Sequence, residues 1–485
     1  MVVSGKSRVW RRHPFSRLLG LFLAAVPAPC VIAATFDVNS TVDVVDANPG
    51  DGICETASGN TVCTLRAAIM EANALSGADT INLHANKTYT LELPGTDDLG
   101  LNGDLDVLDS VTIVGAGPAS SIIDGNGLVT GDRIMTVFSC IGSATPIFEC
   151  PDGTNIVATI SGVGFTGGHT AAGIGGALLN LSNGLLTIHD CAFTENFARY
   201  GGGIHNDGPL DISNSTVAGN TVAGNDVSGG GAGIYTAGPM TMVDTTVRDN
   251  VIQGSPGTPY GGGIYVTGTT TINRSTITNN SAGVGGGIYA LAATLHLINS
   301  TISGNYSYLS GGGLAMVTGG TVALYNVTIA GNVANSDASA PAEFGGGLYK
   351  ESGTLTFRNS ILTGNLHLNQ MGAPSYDECF GGFTSAGNNI VTVPIGGICQ
   401  ITGSYAAVDA SLGPLQDNGG PTQTHALTSG SLAAIDKGND LDGCTDDFGN
   451  ILGTDQRGEP RPAGAACDIG AFEFGAAIFK NGFEL

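Results

Sequence analysis

Three observations predict an all-β solenoid, specifically a right-handed parallel β-helix. A unit returns seven times between Gly175 and Asn365, most clearly as GGGIHNDGPLDISNSTVAGN (Gly201–Asn220) and GGGIYVTGTTTINRSTITNN (Gly261–Asn280). Apolar residues within it alternate with a period of two: Leu210 and Ile212 share one face with Asp211 opposite, and Ser215 and Val217 share another with Thr216 opposite. Glycine and asparagine punctuate the runs where tight turns need a left-handed backbone.

Each unit opens on Leu178, Ile204, Ile234, Ile264, Ile288, Leu314 or Leu348 and closes on Asn196, Asn220, Asn250, Asn280, Asn305, Asn332 or Asn365. The closing asparagines are 24, 30, 30, 25, 27 and 33 residues apart, while the segment from opening to closing residue hardly varies. A fixed core with a variable link describes stacked coils whose loops are let out on one edge. Three short strands per coil, separated by tight turns, are expected, with parallel pairing between coils and right-handed winding. Identical residues in successive coils then form ladders roughly 4.8 Å apart. The column Asp190, Asn214, Asp244, Arg274, Asn299, Asn326, Asn359 should turn the chain, with Asp244 and Arg274 as neighbouring ion-pair partners.

In chain order, residues 1–34 read as a signal peptide: Lys6, Arg8, Arg11, Arg12 and Arg17 precede an apolar run from Leu18 to Val26, and Ala33-Ala34 offers a cleavage site. Residues 35–76 form an N-terminal cap, in which Leu65, Ile69 and Ala72 line one face of a short amphipathic helix, with Arg66 and Glu71 off that face. Residues 77–395 form the β-helix, regular over 175–365, with earlier strands at Thr80–Leu83, Tyr89–Leu93, Val111–Val114, Ile122-Ile123 and Val157–Val163. Residues 396–475 form a C-terminal cap, and 476–485 a tail.

The cap sequence Cys63-Thr64-Leu65-Arg66-Ala67-Ala68-Ile69 resembles the motif of the CSLREA-domain proteins, with Thr and Ala in place of its Ser and Glu. Asp43–Gly52 and Asn102-Gly103-Asp104-Leu105-Asp106 are similar to that family as well. Leu412-Gly413-Pro414-Leu415 through His425, with Ala434-Ile435-Asp436, resembles the choice-of-anchor Q domain. Together these resemblances imply a secreted bacterial β-helix protein and imply no reaction.

The formal net charge is −24, and removal of residues 1–34 takes away five basic residues and no acidic one, which leaves −29. Nucleic acid and anionic membranes are therefore poor partners. Beyond the signal peptide no run is long enough to span a membrane. Secretion or display on the outer surface of a Gram-negative cell is expected. The cysteines agree with an oxidising compartment, and their order suggests Cys54–Cys63, Cys140–Cys150, Cys379–Cys399 and Cys444–Cys467, other pairings remaining open. Cys191 is left over in an inward small-residue column, as a buried inert thiol.

Two features are candidates for binding. The residue after each opening Ile/Leu faces out, and His205, Tyr235, Tyr265, Tyr289 and Tyr349 occupy that column. They read either as a flat rail for sugar rings or as a ladder that stabilises the turn, the ladder being the plainer reading. Asp46, Asn48 and Asp51 place three oxygen-bearing side chains on a turn that suits Ca²⁺ but lacks the spacing of an EF-hand. Asp104/Asp106 and Asp442/Asp446/Asp447 are further acidic clusters, and a solvated turn is the plainer reading of all three. No cofactor is required by the motifs present. Asp211 and His296 share a column but lie three coils apart, too far to cooperate in catalysis. The function expected is binding or display, adhesin-like, with an extracellular glycan or surface ligand as partner. A polysaccharide lyase or glycoside hydrolase of the β-helix type is the alternative. A long uniform aromatic or Thr/Asn face would favour binding, and a basic residue beside a ring of carboxylates would favour the enzyme.

Overall fold

The structure is a computed structural model. It describes residues 33–475 except 98, 139–154, 182–183, 224–228, 254–258, 339–343, 370, 393–397, 439–443 and 447–448. The expected signal peptide, the Cys140–Cys150 pair, Asp442, Asp447 and the tail thus lie outside the described residues. Residues from Ala33 onward form one compact unit.

That unit is a right-handed parallel β-helix. A regular coil is represented by Ile204–Asn206 in sheet I, Leu210–Ser213 in sheet II, Thr216–Ala218 in sheet III and Thr221–Ala223 in sheet IV. Sequence patterning predicted three strands per coil. The fourth comes from the variable link, where one to three residues pair in parallel before the loop departs. Register is strict: Ile204, Ile234, Ile264, Ile288, Leu314 and Leu348 are paired in succession along sheet I. The stack is also longer than expected. Sheet II begins with Thr35–Val38, inside the cap segment, and continues to Cys399–Thr402.

Left-handed residues make the corners. Asp190, Asn214, Asp244, Arg274, Asn299, Asn326 and Asn359 all have φ between 45° and 54°, as the sequence column predicted. Inside, Ile, Leu, Val and Phe fill the bore, including a Phe165–Phe193 stack with centroids 4.9 Å apart. The closing asparagines are buried at the corner between sheets III and IV. From Asn220 onward each Oδ1 accepts both the backbone N–H and the Nδ2–H of the preceding coil's asparagine, for example Asn220 N and Nδ2 to Asn250 Oδ1, both 3.0 Å. Each Nδ2 also donates to a carbonyl of sheet III, as Asn250 does to Val217 at 3.0 Å. Glycine faces this ladder because a Cβ on Gly233 would lie 2.6 Å from the Gly263 carbonyl and 3.0 Å from Asn250 Nδ2. A second inward ladder joins Cys191, Ser215, Thr245, Ser275 and Ser300 through backbone N–H to hydroxyl bonds.

Helix α1 (Leu65–Ala74) closes the first end, with Thr64 as N-cap. Leu65, Ile69 and Ala72 are buried as expected, but so are Arg66 and Glu71. Arg66 pairs with Asp43 (2.6 and 3.1 Å) and donates to the carbonyls of Gly100, Gly103 and Asp104. Glu71 accepts from the backbone N–H groups of Gly50 and Gly52.

The segment expected as a C-terminal cap, residues 396–475, adds the strand Cys399–Thr402 to sheet II and then leaves it. It turns back as a strap along the outside of sheet III, led by an antiparallel hairpin of Leu412–Gln416 and Thr424–Leu427. Gly470 N–H reaches the Asn359 carbonyl, Ala471 N–H reaches Thr328 Oγ1, and His425 pairs with Ser303 at 2.8 Å. Gln456 joins the strap to two coils: Thr301 donates to its Oε1, and its Nε2 bonds Ser275, Thr276, Thr422 and Gln423. Ile469 and Phe472 pack on Ile361 and Ile390 in a small second core. Disulfides join Cys54–Cys63, Cys379–Cys399 and Cys444–Cys467, three of the expected pairs.

Candidate binding face

Strand alternation puts every second residue of sheet II outside, and strict register turns those residues into columns. One column contains Thr35, Thr80, Thr112, Thr159, Thr187, Thr241, Thr271, Thr356, Thr384 and Thr402, interrupted by Asp211, His296 and Ala323. It runs roughly 55–60 Å at the spacing of adjacent strands. The threonines along it are exposed or half-exposed. A second column two residues earlier carries Thr269, Thr294, Thr321 and Thr354 on consecutive coils. Each position offers a hydroxyl that both donates and accepts, next to a methyl group, so the face is neutral, regular and amphiphilic.

At one place the face is indented. Leu185, Pro209, Leu210, Asp211, Pro239, Met240, Thr241, Thr269 and Thr271 line a trough of about 160 Å³. Sequence patterning placed Asp211 and His296 in one column, and the structure confirms it with three coil steps between them. It did not anticipate the threonines of the early coils, whose irregular spacing hides their register. Nor did it anticipate the prolines that make the trough floor.

The tyrosine column is a ladder. His205 stacks on Tyr235 (4.5 Å), Tyr235 on Tyr265 (5.0 Å), and Tyr265 packs on Tyr289 (5.1 Å), so the ring faces point at each other along the stack axis. Tyr260 stacks on Tyr289 and Tyr200 meets Tyr235 edge-on. Tyr349 stacks on Phe380, beyond the gap that Ala315 leaves in the ladder. His205, Tyr265 and Tyr289 are buried, and burial pushes the Tyr265 phenol up to about 12 and raises Tyr235 and Tyr289 too. The rings thus have the geometry of the turn-stabilising ladder rather than of a flat rail. Residues from the links, Tyr200 and Tyr260, cover them.

The Asp46–Asp51 turn satisfies itself. Asp46 accepts the N–H groups of Asn48 (2.7 Å) and Glu55 (3.0 Å), and Asp51 accepts from Ile53 N–H (2.9 Å) and from the Asn48 amide (3.2 Å). Glu71 grips the same turn, and burial holds its carboxyl above the usual range. These oxygens face N–H donors, which is the geometry of an Asx turn rather than of converging ligands. Among the described residues no group of three or more His, Cys, Asp or Glu side chains surrounds a common point.

Burial also perturbs Asp104, Glu378 and Cys191. Burial pushes Asp104 up to about 6 despite Arg133 at 3.4 Å and a 2.5 Å bond from Thr136. Asp132, also buried, lies 4.0 Å from the same guanidinium nitrogen. Asp106, the partner of Asp104 in the acidic cluster, accepts Gly100 N–H. Glu378 terminates the asparagine ladder, accepting from Asn365 Nδ2 at 2.6 Å, and burial pushes it up to about 7. Burial pushes the Cys191 thiol up to about 12, which keeps it protonated and unreactive. Arg274 and Asp244 form the expected corner ion pair, at 2.8 and 2.5 Å. In the C-terminal strap, Asp446 caps its own turn through Asn450. No helix among the described residues is long and apolar enough to cross a membrane.

Comparison with known proteins yields few matches. No curated protein matches the chain. Among solved structures, the chain is similar to a crystal structure of the pectate lyase Pel9A, at 16% identity and TM-score 0.45, covering 91% of this chain and 97% of that one. It is also similar to the A-module of the Azotobacter vinelandii mannuronan C-5 epimerase AlgE6, at 16% identity and TM-score 0.32, covering 77% and 100% respectively. Residues 232–411 match the family described as right handed beta helix region, which agrees with the coil geometry described above.

Proposed function

We propose that this is a secreted or cell-surface β-helix protein that acts by binding, presenting the outer face of sheet II to an extended extracellular glycan. The observation that carries this reading is the threonine column, repeated in register from Thr35 to Thr402 on an accessible face. Successive coils stand roughly 4.8 Å apart, near the length of one pyranose ring, so successive threonines meet successive sugars of a chain lying along the axis. Hydroxyls exchange hydrogen bonds with sugar hydroxyls, and the methyl groups meet the C–H faces of the rings. Export is supported by the basic-then-apolar N-terminus and by three disulfides.

The test is a glycan array on the purified protein, with product analysis on the same panel. A double variant, Thr241→Glu with Thr271→Glu, should lose at least about tenfold in affinity for any neutral glycan found, because two charges then face a ligand that cannot neutralise them. Both side chains point outward, so the fold should melt as wild type does. Unchanged affinity would remove this face from the reading. Release of shortened or unsaturated products would replace binding with catalysis.

A further inference from the structure

The trough in sheet II differs from the rest of the face in one respect, its charge. Asp211 is the single carboxylate in the long threonine column, and it is exposed. Among the described residues several surface carboxylates of these coils are engaged: Asp190 with His189 and Asn214, Asp207 with His205, Asp244 with Arg274, Asp249 with Arg248. Among the described residues Asp211 has no such partner. It stands beside an apolar floor of Leu185, Pro209 and Pro239, with the hydroxyls of Thr241 and Thr271 next along the column. A neutral sugar seated there would strip water from the carboxylate and return nothing for its charge. A carboxylated sugar would be repelled. A sugar with a protonated amine matches every part of the lining: ammonium to Asp211, ring C–H to the prolines, hydroxyls to the threonines. The formal net charge of −24 draws such a cation toward the protein as well.

We propose that the trough is a subsite for an amino-sugar residue carrying a free, protonated amine, so that the preferred ligand is a deacetylated hexosamine glycan. This rests on the reading of sheet II as the binding face. The probes are a glucosamine oligomer, its N-acetylated counterpart and a glucose oligomer of equal length, titrated calorimetrically into the full mature chain. Wild type should bind the glucosamine oligomer roughly tenfold more tightly than the other two, the value of one charge-assisted contact. Asp211→Asn should bring it down to their level. Asp249→Asn, which removes an equal charge from another face, should keep the preference. Raising the pH past the amine's own pKa should abolish the preference in wild type.

Equal binding of all three oligomers by wild type would overturn the subsite and leave the glycan reading standing. A preference that survives Asp211→Asn, or disappears in Asp249→Asn, would assign it to the general field of the protein and overturn the subsite too. Binding of none of the oligomers, nor of any glycan on the array, would sink both.

Discussion

At the scale of single residues, Glu378 is the most consequential position outside the proposed binding face. Seven asparagine amides point the same way along the stack, and each polarises the next. The last one delivers its N–H to a fully buried carboxyl whose other oxygen has no hydrogen-bond partner among the described residues. Burial raises that carboxyl from 4.5 to about 7, so the folded state binds its proton more tightly than the unfolded chain does. Stability from this group is thus full below pH 4.5, falls as pH rises from there to about 7, and is flat above. Glu378→Gln keeps an acceptor for Asn365 and removes the charge. It should stabilise the protein at pH 8 by on the order of 1 kcal/mol or more, and have little effect at pH 4.5. Urea midpoints at the two pH values measure this, and a pH-independent difference would contradict it. The asparagines were legible in the sequence because they recur. Glu378 was not, since it follows Asn365 by 13 residues where the repeat allows no fewer than 24.

At the scale of elements, the two caps were legible to different degrees. The amphipathic pattern of α1 was plain, but its period says nothing of Arg66, which lies off the apolar face and is buried by an ion pair with Asp43. Truncating Arg66 to Ala strands Asp43 in the interior and should cost about 3–5 kcal/mol. A chemical-denaturation midpoint equal to wild type would show that the pair is dispensable. The strap was invisible to pattern reasoning, because Gln456 meets Thr276 and Thr301 across 180 and 155 residues without any repeat to announce it. Gln456→Ala removes a buried side chain that ties the strap tip to two coils and to the hairpin. The expected outcome is faster limited proteolysis within the 412–427 hairpin, with the cleavage map of residues 80–250 unchanged. Equal protection in the variant would mean that the Ile469–Phe472 packing and the bonds of His425, Gly470 and Ala471 hold the strap without Gln456. The fourth strand of each coil escaped notice for a related reason: a pairing of one to three residues, in links of unequal length, leaves no periodic trace.

At the scale of the whole molecule, fold and function were unequally written. Stacking repeats the same geometric demand in every coil, so corners, bore and register all showed in the spacing of Ile, Asn and Gly. The outer face of sheet II faces no such demand. Its threonines line up only once the irregular early coils are in register, so the sequence pointed instead to the more conspicuous tyrosines, which the links bury. The strap has a mechanical corollary. Among the described residues the strap touches no coil before residue 270, whereas those from Thr276 to Ile390 share one lateral clasp. Drawn out by its ends, the chain would pay out slack from the unclasped portion in small even steps. The clasped portion would resist until the strap tore free, and then yield at once, so a protein tethered at its C-terminus would keep its anchored half rigid while the outer half absorbed the pull.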